Sequence, residues 1–215
     1  MKEKITTLYH ILYQAYGPQG WWPGDSPLEV AVGAILTQNT NWKNVATAIA
    51  RLKQAGLLNA EALFELPQEE LVEHIRPAGY YNIKARRLKS FLAFLFSAYG
   101  GSLEEMAAAE LEEVRQQLLA VKGIGPETAD SILLYALEKP IFVVDAYTFR
   151  ILSRHNLISD PSSYDQLQSI FLQALPPDTA LYKEYHALLV QTGKDCCRPR
   201  PRCEACPVQG FHGCP

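Results

Sequence analysis

Apolar residues recur at helical spacing along nearly the whole chain, and strand-like alternation is hard to find. The clearest stripe is Ala129, Ile132, Leu133, Ala136 and Leu137, which follows the i, i+3, i+4, i+7, i+8 order of one buried helix face. Similar spacing predicts helices over 28–36, 45–52, 71–75, 88–95, 111–119, 167–174 and 181–189. Asp145 is a suitable N-cap for a further helix over 146–153. Only 141–144 looks strand-like, and four residues between Pro140 and Asp145 serve equally well as an extended connection. The pattern predicts an all-α protein.

At 215 residues and 48% hydrophobic content the chain can bury a substantial core, as one domain or two small lobes. The apolar run at the N-terminus is too short and interrupted for a signal peptide, and no stretch approaches the roughly 20 apolar residues of a membrane span. A soluble, cytoplasmic protein is expected. A net charge of -3 gives no bulk attraction to nucleic acid but leaves room for local basic faces. Two exist, Lys84 with Arg86 and Arg87, and Arg198 with Arg200 and Arg202. Taken alone, either reads as the solvated face of an ordinary helix.

The sharpest change in composition is the tail. All 5 cysteines fall at or after Cys196, in KDCCRPRPRCEACPVQGFHGCP, and the helical body before it has none. Disulfides are disfavoured in the cytosol, so thiols packed this closely in one loop read as ligands to a metal or cluster. Cys203-x2-Cys206 suits zinc or iron–sulfur. Such a site would supply folding energy and would aim the interleaved arginines at phosphates.

In Val121-Lys122-Gly123-Ile124-Gly125-Pro126-Glu127-Thr128-Ala129, two glycines precede a proline suited to the first helical turn. A helix-hairpin-helix of this kind binds phosphate without reading sequence, because Gly123 and Gly125 let the backbone approach and the N–H groups at a helix start favour an anion. Lys122 adds charge. A ligand-free helix-to-helix turn fits the same spacing.

One helix further on stands Ile141-Phe142-Val143-Val144-Asp145, and upstream stand Ile35-Leu36-Thr37-Gln38-Asn39-Thr40 and Gly79-Tyr80-Tyr81-Asn82-Ile83-Lys84-Ala85. Together with the hairpin these segments resemble the HhH-GPD DNA glycosylases, and endonuclease III in particular, over nearly the whole chain. The resemblance implies a two-lobed fold, with a six-helix lobe over 27–133, a second lobe from 1–26 and 134–215, a cluster loop over 196–214, and double-stranded DNA held between the lobes. It implies a [4Fe–4S] cluster on Cys197, Cys203, Cys206 and Cys214. Cys196 is the alternative first ligand, because it gives the family's gap to Cys203, whereas Cys197 matches when counted from Gly193. The gap from Cys206 to Cys214 is longer than the family's.

Asp145 matches the family's essential aspartate, which could stabilise positive charge developing on the sugar or position water for attack. Gln38 matches the residue that fills the gap left by an extruded nucleotide, and Tyr80 the wedge against the opposite strand, with Asn39 and Asn82 beside them on the DNA side. Backbone-cleaving members carry a lysine where this chain has Glu127; a carboxylate forms no imine, so a monofunctional glycosylase is implied.

Trp21-Trp22-Pro23, Trp42 and the Gly-Pro-Glu-Thr-Ala-Asp form of the hairpin are similar to the endonuclease III-like 3-methyladenine glycosylases. That implies a base pocket of Trp21, Trp22, Pro23 and Trp42, with Glu127 at its edge and Lys194 as the counterpart of a functional lysine. An N3-alkylated purine carries positive charge and stacks well on such rings. A glycosylase for oxidised or mismatched pyrimidines and a non-catalytic DNA-binding module are the competing readings, and a monomer suits an enzyme that wraps a bent duplex.

Overall fold

The computed structural model describes residues 1–21, 24–158 and 162–213. The described residues form α-helices and no strands. In chain order the helices are α1 (Lys2–Tyr16), α2 (Pro27–Leu36), α3 (Trp42–Gln54), α4 (Ala60–Glu65), α5 (Gln68–Ile75), α6 (Tyr81–Tyr99), α7 (Leu103–Ala108), α8 (Leu111–Ala120), α9 (Pro126–Ser131), α10 (Ala146–Arg154), α11 (Tyr164–Ala174) and α12 (Thr179–Asp195). None is long and apolar enough to cross a membrane. The chain divides into two compact units, one of Trp22–Lys139 and one of Met1–Trp21 with Pro140–Pro215.

In the first unit, α2 is the central element. Residues 28–36 are all buried, as expected of a helix that is apolar at every one of these positions but Glu29, whose carboxylate pairs with Lys53 at 2.8 Å. Its start is fixed by the Ser26 hydroxyl, which accepts from the Glu29 amide, and by Pro27 in the first turn. Against it packs a π turn, Ile132–Ala136, which continues α9. The stripe from Ala129 to Leu137 is therefore not one regular α-helix. All five residues of the turn are buried, and the wider turn is the register in which they meet the core.

The hairpin's two helices are stapled by a buried ion pair. Arg115 on α8 donates from Nε and Nη2 to the two carboxylate oxygens of Asp130 on α9, at 2.7 and 3.2 Å. The two side chains are 11% and 0% exposed. Between them the turn needs glycine at position 123 only: Gly123 has φ +93, and a Cβ there would lie 2.4 Å from the Arg87 side chain. Gly125 has ordinary extended geometry and open space around it.

The basic run at 84–87 corrects the reading of a solvated face. Lys84 is 1% exposed and its ammonium donates to the carbonyls of Leu36 and Ala78, both at 2.8 Å. Arg87 turns onto the Gln38 amide oxygen. Only Arg86 keeps the expected exposure.

In the second unit, α1 buries Ile5, Leu8 and Leu12 and packs on α11 and α12. The segment 141–144 is a buried extended connection rather than a strand, because no second strand is present among the described residues to complete its hydrogen bonds. Side chains take that role. Gln168 Nε2 donates to the Phe142 carbonyl at 2.7 Å, and the Phe142 ring stacks on Phe171 at 3.9 Å between centroids.

Removing one partner of a buried ion pair strands the other, so Asp130→Ala should destabilise the protein by about 3–5 kcal/mol. Urea unfolding followed by circular dichroism measures this, and a change below about 1 kcal/mol would mean that the pair is not what fixes the hairpin.

Candidate functional site

Asp145 ends the extended connection and caps α10. Its Oδ1 accepts from the Thr148 amide at 2.8 Å and from the Thr148 hydroxyl at 2.9 Å. Its Oδ2 lies 3.5 Å from Nε2 of His186 on α12. The carboxylate is largely buried, which by itself would push its pKa up. His186 and the two Thr148 donors outweigh that, and the group is held below its ordinary value. The cap explains how a charged oxygen pair survives here, and the His186-facing oxygen is the one that the cap leaves uncommitted.

Around this carboxylate the second unit assembles two further predicted residues and one that sequence did not reveal. The Trp21 ring lies 5.5 Å from the His186 ring, centroid to centroid. Lys194 places its ammonium 5.5 Å from the Trp21 ring centroid. His186 was missed because a lone histidine on the face of Tyr182, Tyr185 and Leu189 reads as a core residue, and its partner Asp145 is 41 positions away in the sequence. Trp22 and Pro23 lie outside the described residues.

The other candidates belong to the first unit. Trp42 rests its ring on Gly33 of α2 and, with Glu29, Ile49 and Lys53, lines a cleft of about 200 Å³. Glu127 is exposed in the first turn of α9, where a carboxylate complements the helix dipole. Lys122, Asn39 and Asn82 are exposed, and Tyr80 is 69% exposed. Gln38 is folded onto the hairpin: its amide nitrogen donates to Thr128 Oγ1 at 2.8 Å and to the Gly123 carbonyl at 3.3 Å, while its oxygen accepts from Arg87. Reaching into a duplex requires release of these bonds.

The cysteine tail is clamped to α10. Arg150 Nε donates to the Cys197 carbonyl at 2.5 Å, and Arg154 donates to the carbonyls of Arg198 and Pro199 at 2.6 and 3.1 Å. Arg154 Nη1 also donates to Cys197 Sγ at 3.3 Å. Cys196 Sγ instead donates to the Ala205 carbonyl at 3.3 Å and lies 3.8 Å from the Tyr16 hydroxyl. A guanidinium against sulfur suits a thiolate, the form that binds metal, and a carbonyl against sulfur suits a neutral thiol. The two adjacent sulfurs thus differ in surroundings: Cys197 Sγ meets a guanidinium, and Cys196 Sγ a backbone carbonyl and a tyrosine hydroxyl. Cys203 and Cys206 are half-buried on and beside the short turn Cys203–Ala205. Among the described residues no three such side chains converge as a metal site, and Cys214 lies outside them.

A family model described as HhH-GPD superfamily base excision DNA repair protein matches residues 32–177. A protein of Methanocaldococcus jannaschii provisionally named a DNA repair glycosylase is 48% identical over 97% of this chain and 96% of its own. The structure of the Helicobacter pylori 3-methyladenine DNA glycosylase bound to 1,N6-ethenoadenine superposes with a TM-score of 0.74 at 28% identity, over 90% of this chain and 96% of that one. An endonuclease III–DNA complex superposes with a TM-score of 0.83 at 21% identity, over 99% and 96% of the two chains, and at that identity shows the fold alone.

The cysteine environments lead to a direct comparison of two variants. Iron and sulfide content of anaerobically purified protein should collapse in Cys197→Ser and persist in Cys196→Ser. The reverse pattern would assign the ligand to Cys196.

Proposed function

The chain belongs to the HhH-GPD superfamily of base excision DNA repair proteins, and we propose that it is a monofunctional DNA N-glycosylase that releases 3-methyladenine-like bases from duplex DNA. DNA glycosylase activity is the family's chemistry; the base and the absence of strand cleavage are our reading. The observation that carries it is the largely buried Asp145 carboxylate, held by its Thr148 cap, with the Trp21 ring one side chain away, across His186.

Release of an N3-alkylated adenine needs little acid assistance, because the base already carries positive charge and leaves as a neutral molecule. What the enzyme must supply is extrusion of the nucleotide, a stacking surface and stabilisation of the oxocarbenium-like sugar. Asp145 supplies the last as a fixed negative charge; as the bond from C1′ to the base breaks with its electron pair going to the base, water attacks C1′ and gives up one proton to solvent. Trp21 supplies stacking. Lys194 beside the Trp21 ring favours selection by shape and bond lability over selection by the charge of the base. Glu127, in the place of a Schiff-base lysine, leaves an abasic site with the strand intact. Backbone N–H groups around Gly123 and Gly125, with Lys122, hold a phosphate.

In this reading Cys197, Cys203, Cys206 and Cys214 would hold the [4Fe–4S] cluster that the resemblance to endonuclease III implies. When bound, the cluster supplies folding free energy to the loop. Arg150 and Arg154 join that loop to the helix that Asp145 caps.

Free base should appear when the protein is incubated with methylated DNA, and strand breaks should appear only after alkali. Breaks without alkali would assign a lysine as nucleophile. Release confined to oxidised or mismatched pyrimidines in a lesion panel would move the substrate class, and binding to abasic-site analogues with no turnover on any lesion would leave a binding module.

Asp145→Asn keeps a good N-cap, so the fold should hold while base release falls by at least about 100-fold. The depressed pKa has a second consequence. The carboxylate protonates only below its ordinary value of about 4, so its titration should impose no acid limb on base release above about pH 5. Single-turnover rates against pH, with thermal melts of both proteins, check these expectations.

A further inference from the structure

Lys84 is a lysine where an apolar residue would fill the space without a desolvation cost. Burial, and the nearby charge of Arg87, lower its pKa to about 8, so the ammonium form persists at neutral pH. Two backbone carbonyls receive it, and their positions are informative. Leu36 is the last residue of α2, and Ala78 is the last residue of the short turn Arg76–Ala78. Two residues beyond the first carbonyl is Gln38; two residues beyond the second is Tyr80.

Both loops carry strained tips. Asn39 has φ 54 and Tyr80 has φ 46, left-handed conformations that residues other than glycine rarely adopt and that persist only where the surroundings enforce them. The same helix reaches the first loop a second time, one turn later, through Arg87 and the Gln38 amide. One face of α6 thus fixes both loop stems, and the Tyr80 carbonyl accepts the amide of Lys84 itself at 3.0 Å.

We infer that Lys84 is a positioning residue whose ammonium ties the stems of the 36–40 and 78–81 loops into one rigid edge, setting the separation at which Gln38 and Tyr80 enter the two strands of a duplex. The inference rests on the reading of those two side chains as the ones that enter DNA. Lys84 touches neither base nor sugar. A rigid edge matters because unstacking a base step costs several stacking contacts at once, and a wedge on a yielding loop would retreat instead of parting the strands.

The test uses the full-length protein and a duplex with a tetrahydrofuran abasic-site analogue opposite 2-aminopurine, whose fluorescence rises when it is unstacked. Saturating wild-type protein should raise the signal. Lys84→Met, verified as folded by its melt, should bind the same duplex within about 5-fold of wild type yet give less than roughly a third of the rise. Lys84→Gln, whose neutral amide still donates but is one bond shorter, should fold readily and give an intermediate rise. In a background carrying both Tyr80→Ala and Gln38→Ala, the Lys84 substitutions should cause no further loss, because the brace acts through those two side chains. A full rise in Lys84→Met or Lys84→Gln overturns the brace while leaving the wedge intact. A full rise in Tyr80→Ala overturns the wedge reading, and the brace with it. Further loss in that combined background also overturns the brace, because a lysine that merely supports folding would add its effect to any background.

Discussion

A carboxylate taken out of water usually gains a proton, and the candidate chemistry here depends on Asp145 keeping its charge. The cap of α10 makes that possible. One oxygen is saturated by the Thr148 amide and hydroxyl, and the other is faced by His186, so the lowering influences exceed the cost of burial. Capping and chemistry are therefore a single arrangement: the helix fixes the direction of the carboxylate, and the carboxylate starts the helix.

That arrangement extends in two directions through the second unit. Toward the N-terminus of the chain, His186 leads to Trp21, and Trp21 to Lys194, so a charge, an imidazole, an indole and an ammonium follow one another. Toward the C-terminus, the same α10 presents Arg150 and Arg154 to the carbonyls and sulfur of the cysteine tail. The tail is irregular, with short turns in place of long helices, and these arginine contacts satisfy backbone carbonyls that no secondary structure reaches. Through these contacts the tail is joined to the helix that Asp145 caps.

The first unit addresses a different requirement, the display of several short loops at fixed spacing. Its devices are buried charges. Arg115 and Asp130 clamp the hairpin, and Lys84 holds the stems of two loops. Such groups are expensive to bury, and apolar replacements of similar size often stabilise as much. Their use here fits a demand for exact placement of loop residues such as the exposed Tyr80, which packing of apolar side chains further inside specifies less directly.

The sequence by itself determined the all-helical class, the helix positions with a continuous apolar stripe, the hairpin with its proline start, and the clustering of thiols in the tail. Each is a local property: helical period, capping chemistry and residue spacing act within a few turns, and the family resemblance carried by the 35–40, 79–85 and 141–145 segments rests on such local text. Helices α4 and α7 escaped because six residues, fewer than two turns, are too few to show a repeating stripe, and α1 was not singled out either. Tertiary structure alone decided the rest. His186 stands opposite Asp145 although 41 residues separate them, Lys84 left the solvent for two carbonyls far apart in the chain, the hairpin helix widened into a π turn against α2, and Cys197 rather than Cys196 met a guanidinium. In each case at least one deciding partner arrives from a distant part of the chain, and the free energy of burial and pairing that selects it has no counterpart in local sequence.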